Sequence, residues 1–290
     1  MIELLKKIIR CVFDRRYLYH YLTGSITEEK KRCFLTKIEN FFFTGKFLSP
    51  NEKSALGMNG IIVFPGLVDT SDVNKILIYL NNLMIGSDED QFSVRELITN
   101  TPKTDNVSHY SPKYLVRCDE IMKLATHPEI LIALQKYFGE IPFQLDYVGA
   151  WKSYAKSEEA IEQQLFHRDI DTLQSIKVFC YLTDVDSSSG PHIFISKSLS
   201  DNSFRKKGKK YSDKEILKIY PKSEQTTIEG KKGTVFLTNS FALHKGMKPV
   251  TNDRVILQLI FSVVRTPFLR PKYLKSSYNF PDNYIYKNFL

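Results

Sequence analysis

Apolar residues recur at helical spacing early in the chain and at strand spacing later. Leu4, Leu5, Ile8, Ile9 and Val12 form one stripe with Lys6, Lys7 and Arg10 between them, which predicts an amphipathic helix. A second helix is predicted from Ser25, where Ser25 and Glu28 form a capping-box pattern. From residue 58 the texture changes. "GIIVFPGLVD" reads as a short apolar strand, and "SDVNKILIYLNNLM" as a helix opened by a Ser or Asp cap. "HPEILIALQKYFG" reads as a helix stopped by Gly139. Strands then dominate: "FQLDYVGAWKSYA", "SIKVFCYLTDV", "PHIFIS", "GTVFLTN" and "RVILQLIFSVV". Helices followed by many short strands predict a mainly β sandwich or barrel with a helical N-terminal layer.

The pattern divides the chain into a basic helical extension over residues 1–48 and a β domain over 49–290. A lysine-rich insertion at about 200–224 interrupts the strands. Between Arg205 and Lys222 it holds eight basic residues against Asp213 and Glu215, and it reads as a solvated loop followed by a short helix. The 16 tyrosines and 20 phenylalanines suit a strand-rich protein. A formal net charge of +9 favours anionic partners. The basic residues are not interleaved with aromatics in a stripe, which argues against nucleic acid. The N-terminal helix either packs on the domain or touches an anionic membrane face. Cys11, Cys33, Cys118 and Cys180 are scattered, with no C-x-x-C pair, so neither a disulfide framework nor a zinc site is expected. With no signal-peptide pattern, a reduced, cytoplasmic protein is expected.

The stretch "QQLFHRDIDTLQS" carries the chemistry. His167-Arg168-Asp169 matches the start of a protein-kinase catalytic loop, but that loop needs an Asn five residues after the Asp, and Gln174 stands there. The other claimant is a facial triad of two His and one carboxylate, which holds Fe(II) on one face and leaves the opposite positions open. On an extended segment, residues i and i+2 project to one side. His167 and Asp169 can therefore share a metal while Arg168 points away. His244, 77 residues on and just after the strand "GTVFLTN", is the candidate third ligand. Arg254, ten residues further, opens the last core strand and suits a bidentate pair with a dicarboxylate. A zinc hydrolase built on the same trio would leave Arg254 without a role.

Three ordered blocks, "QLFHRD", "IKVFCYLTDVDSSSGPHIFISKS" and "GTVFLTNSFALHKGMKPVTNDRVILQLIF", resemble the phytanoyl-CoA dioxygenase family of Fe(II)/2-oxoglutarate-dependent oxygenases over roughly residues 58–265. The resemblance implies a double-stranded β-helix of the jelly-roll or cupin-like kind, with the metal inside the barrel mouth. It makes His167, Asp169 and His244 the iron ligands and pairs Arg254 with the distal carboxylate of 2-oxoglutarate. Gln164 stands where relatives contact the other end of the co-substrate, and Lys177 is a further candidate for holding a carboxylate. The chain departs from the family pattern in two places. Gly246 replaces a Ser that touches 2-oxoglutarate in several relatives, and "FISKSLSD" replaces the usual "p-G-S-H" after the G-P turn. His192 replaces an apolar residue after Gly190-Pro191, and either lines the pocket or is a hydrogen-bonded strand histidine.

The implied activity is hydroxylation of a C–H bond in a small anionic or carrier-tethered metabolite, with O2 and 2-oxoglutarate as co-substrates. The rival reading is a non-catalytic binding protein on the same barrel that uses its basic surface for anionic partners.

Overall fold

In the computed structural model the described residues are 49–85, 107–110, 112–141, 143–155, 164–169, 174–201, 203–204 and 209–263, together with 35–38, 41 and 46. The two predicted N-terminal helices, and so nearly all of the basic extension, lie outside them. The first elements are a short helix α1 (Ala55–Met58), strand β1 (Ile61–Phe64) and helix α2 (Thr70–Ile85). Strand β2 (Val107–Tyr110) and helices α3 (Pro112–Leu115), α4 (Asp119–Ala125) and α5 (Pro128–Phe138) follow. His127 caps α5 by accepting from the Glu129 amide, and Gly139 ends it with φ +64°, a conformation open to glycine.

The strands are β3 (Gln144–Ser153), β4 (Ser175–Tyr181), β5 (His192–Ile195), β6 (Thr226–Ile228), β7 (Val235–Thr238), β8 (Leu243–Gly246) and β9 (Arg254–Ser262). They form two antiparallel sheets, a six-stranded one in the order β1-β7-β4-β9-β3-β2 and a three-stranded one in the order β6-β5-β8. The fold is a mainly β, jelly-roll, cupin-like double-stranded β-helix with helices on one face.

Strand alternation separates two environments. On β4, Ile176, Val178 and Cys180 join Leu257 and Leu259 of β9 and the apolar faces of α2, α4 and α5 in one large core. The intervening Phe179 and Tyr181 pack with Phe236, Ile256 and Trp151 in a separate aromatic cluster on the other face. Lys177 falls in the same alternation as Phe179 and Tyr181, opposite Thr238 of β7. β4 and β9 are buried along nearly their whole length, which is why both read as continuous apolar runs rather than alternating ones.

The described part of the lysine-rich insertion is largely exposed and runs into a short helix, with one apolar side packed inward. A capping box between Ser212 and Glu215 starts helix α6 (Asp213–Ile216). Ile216 and Tyr220 are fully buried against Phe166, Ile193, Ile195, Tyr211 and Leu243, on the outer face of the small sheet. Lys209, Lys214, Lys218 and Lys222 stay exposed and Lys210 half-buried while this apolar stripe docks, a period the charge run hides in the sequence. Among the described residues no helix is long and apolar enough to cross a membrane.

Candidate metal centre

Two short backbone pairings bring the site together. The segment around His167 is extended and bridges Tyr211 through Phe166 and β8 through a His167–His244 pair. The His167 and His244 amides each donate to the other's carbonyl at 3.0 Å, and the Asp169 amide donates to the Ser240 carbonyl at 3.0 Å. Directly opposed residues of antiparallel segments project to the same face, so the two imidazoles meet, with ring centroids 4.4 Å apart. Asp169, two residues on from His167, joins them.

The geometry is that of a ligand set. One ligand atom from each of His167, Asp169 and His244 lies within 4.8 Å of the others. His244 Nε2 is 3.0 Å from Asp169 Oδ2, and His167 Nε2 is 3.6 Å from Asp169 Oδ1. Neighbouring ligands on one first-row metal, each bonded at about 2.1 Å, sit about 3 Å apart. The other ring nitrogens are held in place, with His167 Nδ1 2.8 Å from the Leu165 carbonyl and His244 Nδ1 2.9 Å from the Ala242 carbonyl. Each Nε2 is thereby turned toward the centre. Burial, reinforced by the neighbouring His244, pushes the His167 imidazole down to about 3, so it stays neutral, as a metal ligand must. Burial works to raise the Asp169 carboxyl, but the Lys177 ammonium with His244 and His167 holds it well below the usual carboxylate range.

Arg168 points away from the centre, as the alternation requires, and clamps the loops behind it. Its guanidinium donates to the carbonyls of Ser198 (2.8 Å), Phe241 (2.6 Å), Ser203 (3.0 Å) and Phe204 (3.2 Å). Nothing in the tripeptide signals this role, because the acceptors are backbone groups of distant segments.

Lys177 reaches the centre, and the carboxylate it holds is that of Asp169, at 2.5 Å. Arg254 is 4% exposed. Its guanidinium donates to the Gly190 carbonyl and, at 3.3 Å, to Ser153 Oγ, while Nε has no partner. No carboxylate among the described residues pairs with it. Burial draws its pKa down from the ordinary value, the mark of a cation held without a counter-charge. The D-V-D-S-S-S-G-P loop supplies that Gly190 carbonyl. A side chain at Gly190, which has φ +76°, would come within 2.4 Å of the Met247 carbonyl. Gly246 lies against the same guanidinium, and a Cβ there would stand 3.0 Å from Arg254 Nη2. The glycine leaves room for the arginine.

Gln164 is buried three positions before His167. His192 is inside the barrel, with its ring stacked on that of His244 at 5.4 Å and 21° and packed against Phe179 and Phe236. Burial, with the nearby His244 and Arg254, holds its imidazole well below the usual range. Its Nε2 has no hydrogen-bond partner among the described residues. Thr238 Oγ1 and Ser240 Oγ are also buried without partners. Unpaired polar atoms of this kind are rare in native interiors. Trp151 meets Phe179 edge to face at 6.4 Å and walls the same side of the barrel.

Solved structures share this architecture at low sequence identity. HygX from Streptomyces hygroscopicus with nickel and 2-oxoglutarate bound is 15% identical, with a TM-score of 0.50 over 71% of this chain and 84% of that one. EctD from S. alaskensis in its apoform is 14% identical, with a TM-score of 0.55 over 76% and 82%. SnoN, a non-heme alpha ketoglutarate dependent epimerase from nogalamycin biosynthesis, is 15% identical, with a TM-score of 0.50 over 79% and 91%. The chain has the fold of these proteins. No family model and no curated protein sequence matches the chain.

Proposed function

We propose that the chain is an Fe(II)/2-oxoglutarate-dependent dioxygenase, of the kind the phytanoyl-CoA dioxygenase resemblance implies, that hydroxylates a C–H bond of a small anionic or carrier-tethered metabolite. The observation behind this reading is the pairing of a three-atom ligand set with a buried arginine that has no acidic partner among the described residues. His167, Asp169 and His244 would hold Fe(II), and Arg254 would take the distal carboxylate of 2-oxoglutarate in a bidentate pair. A barrel that bound ligands only on its outer surface would have no use for either, since a lone buried cation is costly. When bound, the iron supplies oxidation: with O2 and 2-oxoglutarate, the substrate C–H becomes C–OH while succinate and CO2 leave.

The chain's own residues do the rest. Lys177 steadies the Asp169 carboxylate, an outer-shell task that fixes ligand orientation. Phe179, Phe236 and Trp151 wall the cavity and keep water from the reacting bond. Gln164 is proposed for the other end of the co-substrate.

The preference for an anionic substrate rests on Lys210. The Phe166–Tyr211 bridge sets a register in which Lys210 stands opposite His167 and projects to the same side. It is near enough for its charge to depress the His167 pKa, and it is half-buried with no acidic partner among the described residues. Around the centre, the cations Lys177, Arg254 and Lys210 outnumber Asp169 among the described residues, an excess that favours an anionic guest.

Arg254→Lys replaces a planar fork by a point charge and is expected to weaken 2-oxoglutarate binding about ten- to a hundredfold with metal affinity unchanged, as measured by equilibrium binding. Unaltered 2-oxoglutarate affinity would remove Arg254 from its assigned role. In a screen of metabolites for stimulated CO2 release from 2-oxoglutarate, stimulation should come from acids and be lost in Lys210→Glu. Equal stimulation by neutral compounds would refute the anionic preference.

A further inference from the structure

We infer that His192 is a second co-substrate-binding residue, donating a hydrogen bond to the same carboxylate that Arg254 pairs; this rests on the dioxygenase reading above. Three observations converge on it. First, His192 is 4% exposed, and its Nε2 is buried with no hydrogen-bond partner. A neutral imidazole always has one N–H to give, and a buried polar atom left unpaired opposes folding. Second, the register of β5 against β8 sets His192 directly opposite Gly246, and Phe194 opposite His244. Opposed residues project to one face, so His192 lies on the face of the small sheet that carries His244 and Gly246. Third, the position where a side chain at 246 would begin is 3.0 Å from Arg254 Nη2 and 3.3 Å from Nη1. His192 therefore flanks the guanidinium across the space that Gly246 leaves open.

The ring is also kept from rotating away. The His192 amide donates to Tyr181 Oη at 3.1 Å, and that hydroxyl donates on to the Ile228 carbonyl at 2.8 Å. Phe179 and Phe236 pack against the ring at 5.3 and 5.2 Å between centroids, and His244 stacks on it. The backbone of the residue is thus satisfied while its side-chain nitrogen is not. The one unmatched cation beside it, Arg254, calls for an anion. A carboxylate between them would meet both needs, with the fork of Arg254 on one side and the imidazole N–H on the other.

The test is calorimetric titration of 2-oxoglutarate into Ni(II)-loaded full-length protein, with Ni(II) as a redox-inert stand-in for iron. His192→Leu removes the donor, and His192→Phe removes it while keeping an aromatic ring in the Phe179–Phe236 stack. Both are expected to bind 2-oxoglutarate about ten- to a hundredfold more weakly, with Ni(II) affinity as in the wild type. His192→Gln, which keeps a side-chain N–H at the same position, is expected to retain more of that affinity than either, which a purely structural role for His192 would not allow. If the folded His192→Phe protein binds 2-oxoglutarate as tightly as the wild type, the inference is wrong and the nitrogen serves packing alone. If the wild type binds Ni(II) but no 2-oxoglutarate, the dioxygenase reading falls first, and this inference with it.

Discussion

Three neighbouring side chains, His167, Arg168 and Asp169, face two unrelated environments, separated only by the alternation of an extended backbone. The outer two face the barrel interior, within ligand distance of His244. The middle one faces outward into carbonyls from three distant segments. That makes Arg168 a stability residue with no part in the chemistry. Arg168→Leu would strand several buried carbonyls, and a loss of about 3 kcal/mol or more is expected on urea denaturation. Arg168→Lys would recover little, since one ammonium cannot span the same acceptors. An unchanged denaturation midpoint would show that the clamp contributes nothing. The neighbouring Asp201 and Tyr220 extend this anchoring, with Tyr220 Oη donating to Asp201 Oδ2 at 2.7 Å, and tie the insertion to the loop behind the triad.

Elements, rather than single residues, set where the centre stands. β4, β7 and β9 form one wall and β5 and β8 the other, and the turn between β4 and β5 fixes the Gly190 carbonyl on Arg254. Asp186 holds that turn by accepting from the Ser188 and Ser189 amides at 2.9 and 3.0 Å and from their hydroxyls at 2.8 and 2.7 Å. Those bonds, led by the Ser189 hydroxyl, draw its carboxyl down to about 2. A depressed carboxyl stabilises the fold above its unfolded pKa of about 3.9, and the contribution fades as pH falls toward the folded value. Asp186→Asn should therefore melt below the wild type at neutral pH, with the gap closing between about pH 4 and pH 2. Equal melting temperatures at pH 7 would refute the role.

Much of this level was legible in the sequence. β1, β3, β4, β5, β7 and β9 and helices α2 and α5 fall on segments whose periodicity or caps announce them. β8 does not announce itself: "LHKG" has one aliphatic residue and a glycine, and it becomes a strand only by pairing with β5. The short helix of the insertion was legible too, but its lysines mask the stripe of Tyr211, Ile216 and Tyr220 that packs inward.

For the molecule as a whole, the large helix-backed core and the smaller clusters around the small sheet hold two walls apart, and the polar centre lies between them. The spacing of H-x-D, D-V-D-x-x-x-G-P and His-x9-Arg in the chain was enough to name His167, Asp169, His244 and Arg254. Tertiary placement alone shows that Lys177 meets Asp169 and that the His192 ring stacks on His244. The sequence marked both as candidates without their partners, because cross-strand register between distant segments brings them together. The central claim is that this centre binds Fe(II) and 2-oxoglutarate together, the 2-oxo acid on the metal and its far carboxylate on Arg254. Anaerobic titration of the metal-free protein with Fe(II) and then 2-oxoglutarate, followed by visible absorption, tests it most directly. A metal-to-ligand charge-transfer band that appears with wild type and is absent in His244→Ala is the predicted result. Iron binding without that band in the wild type would contradict it.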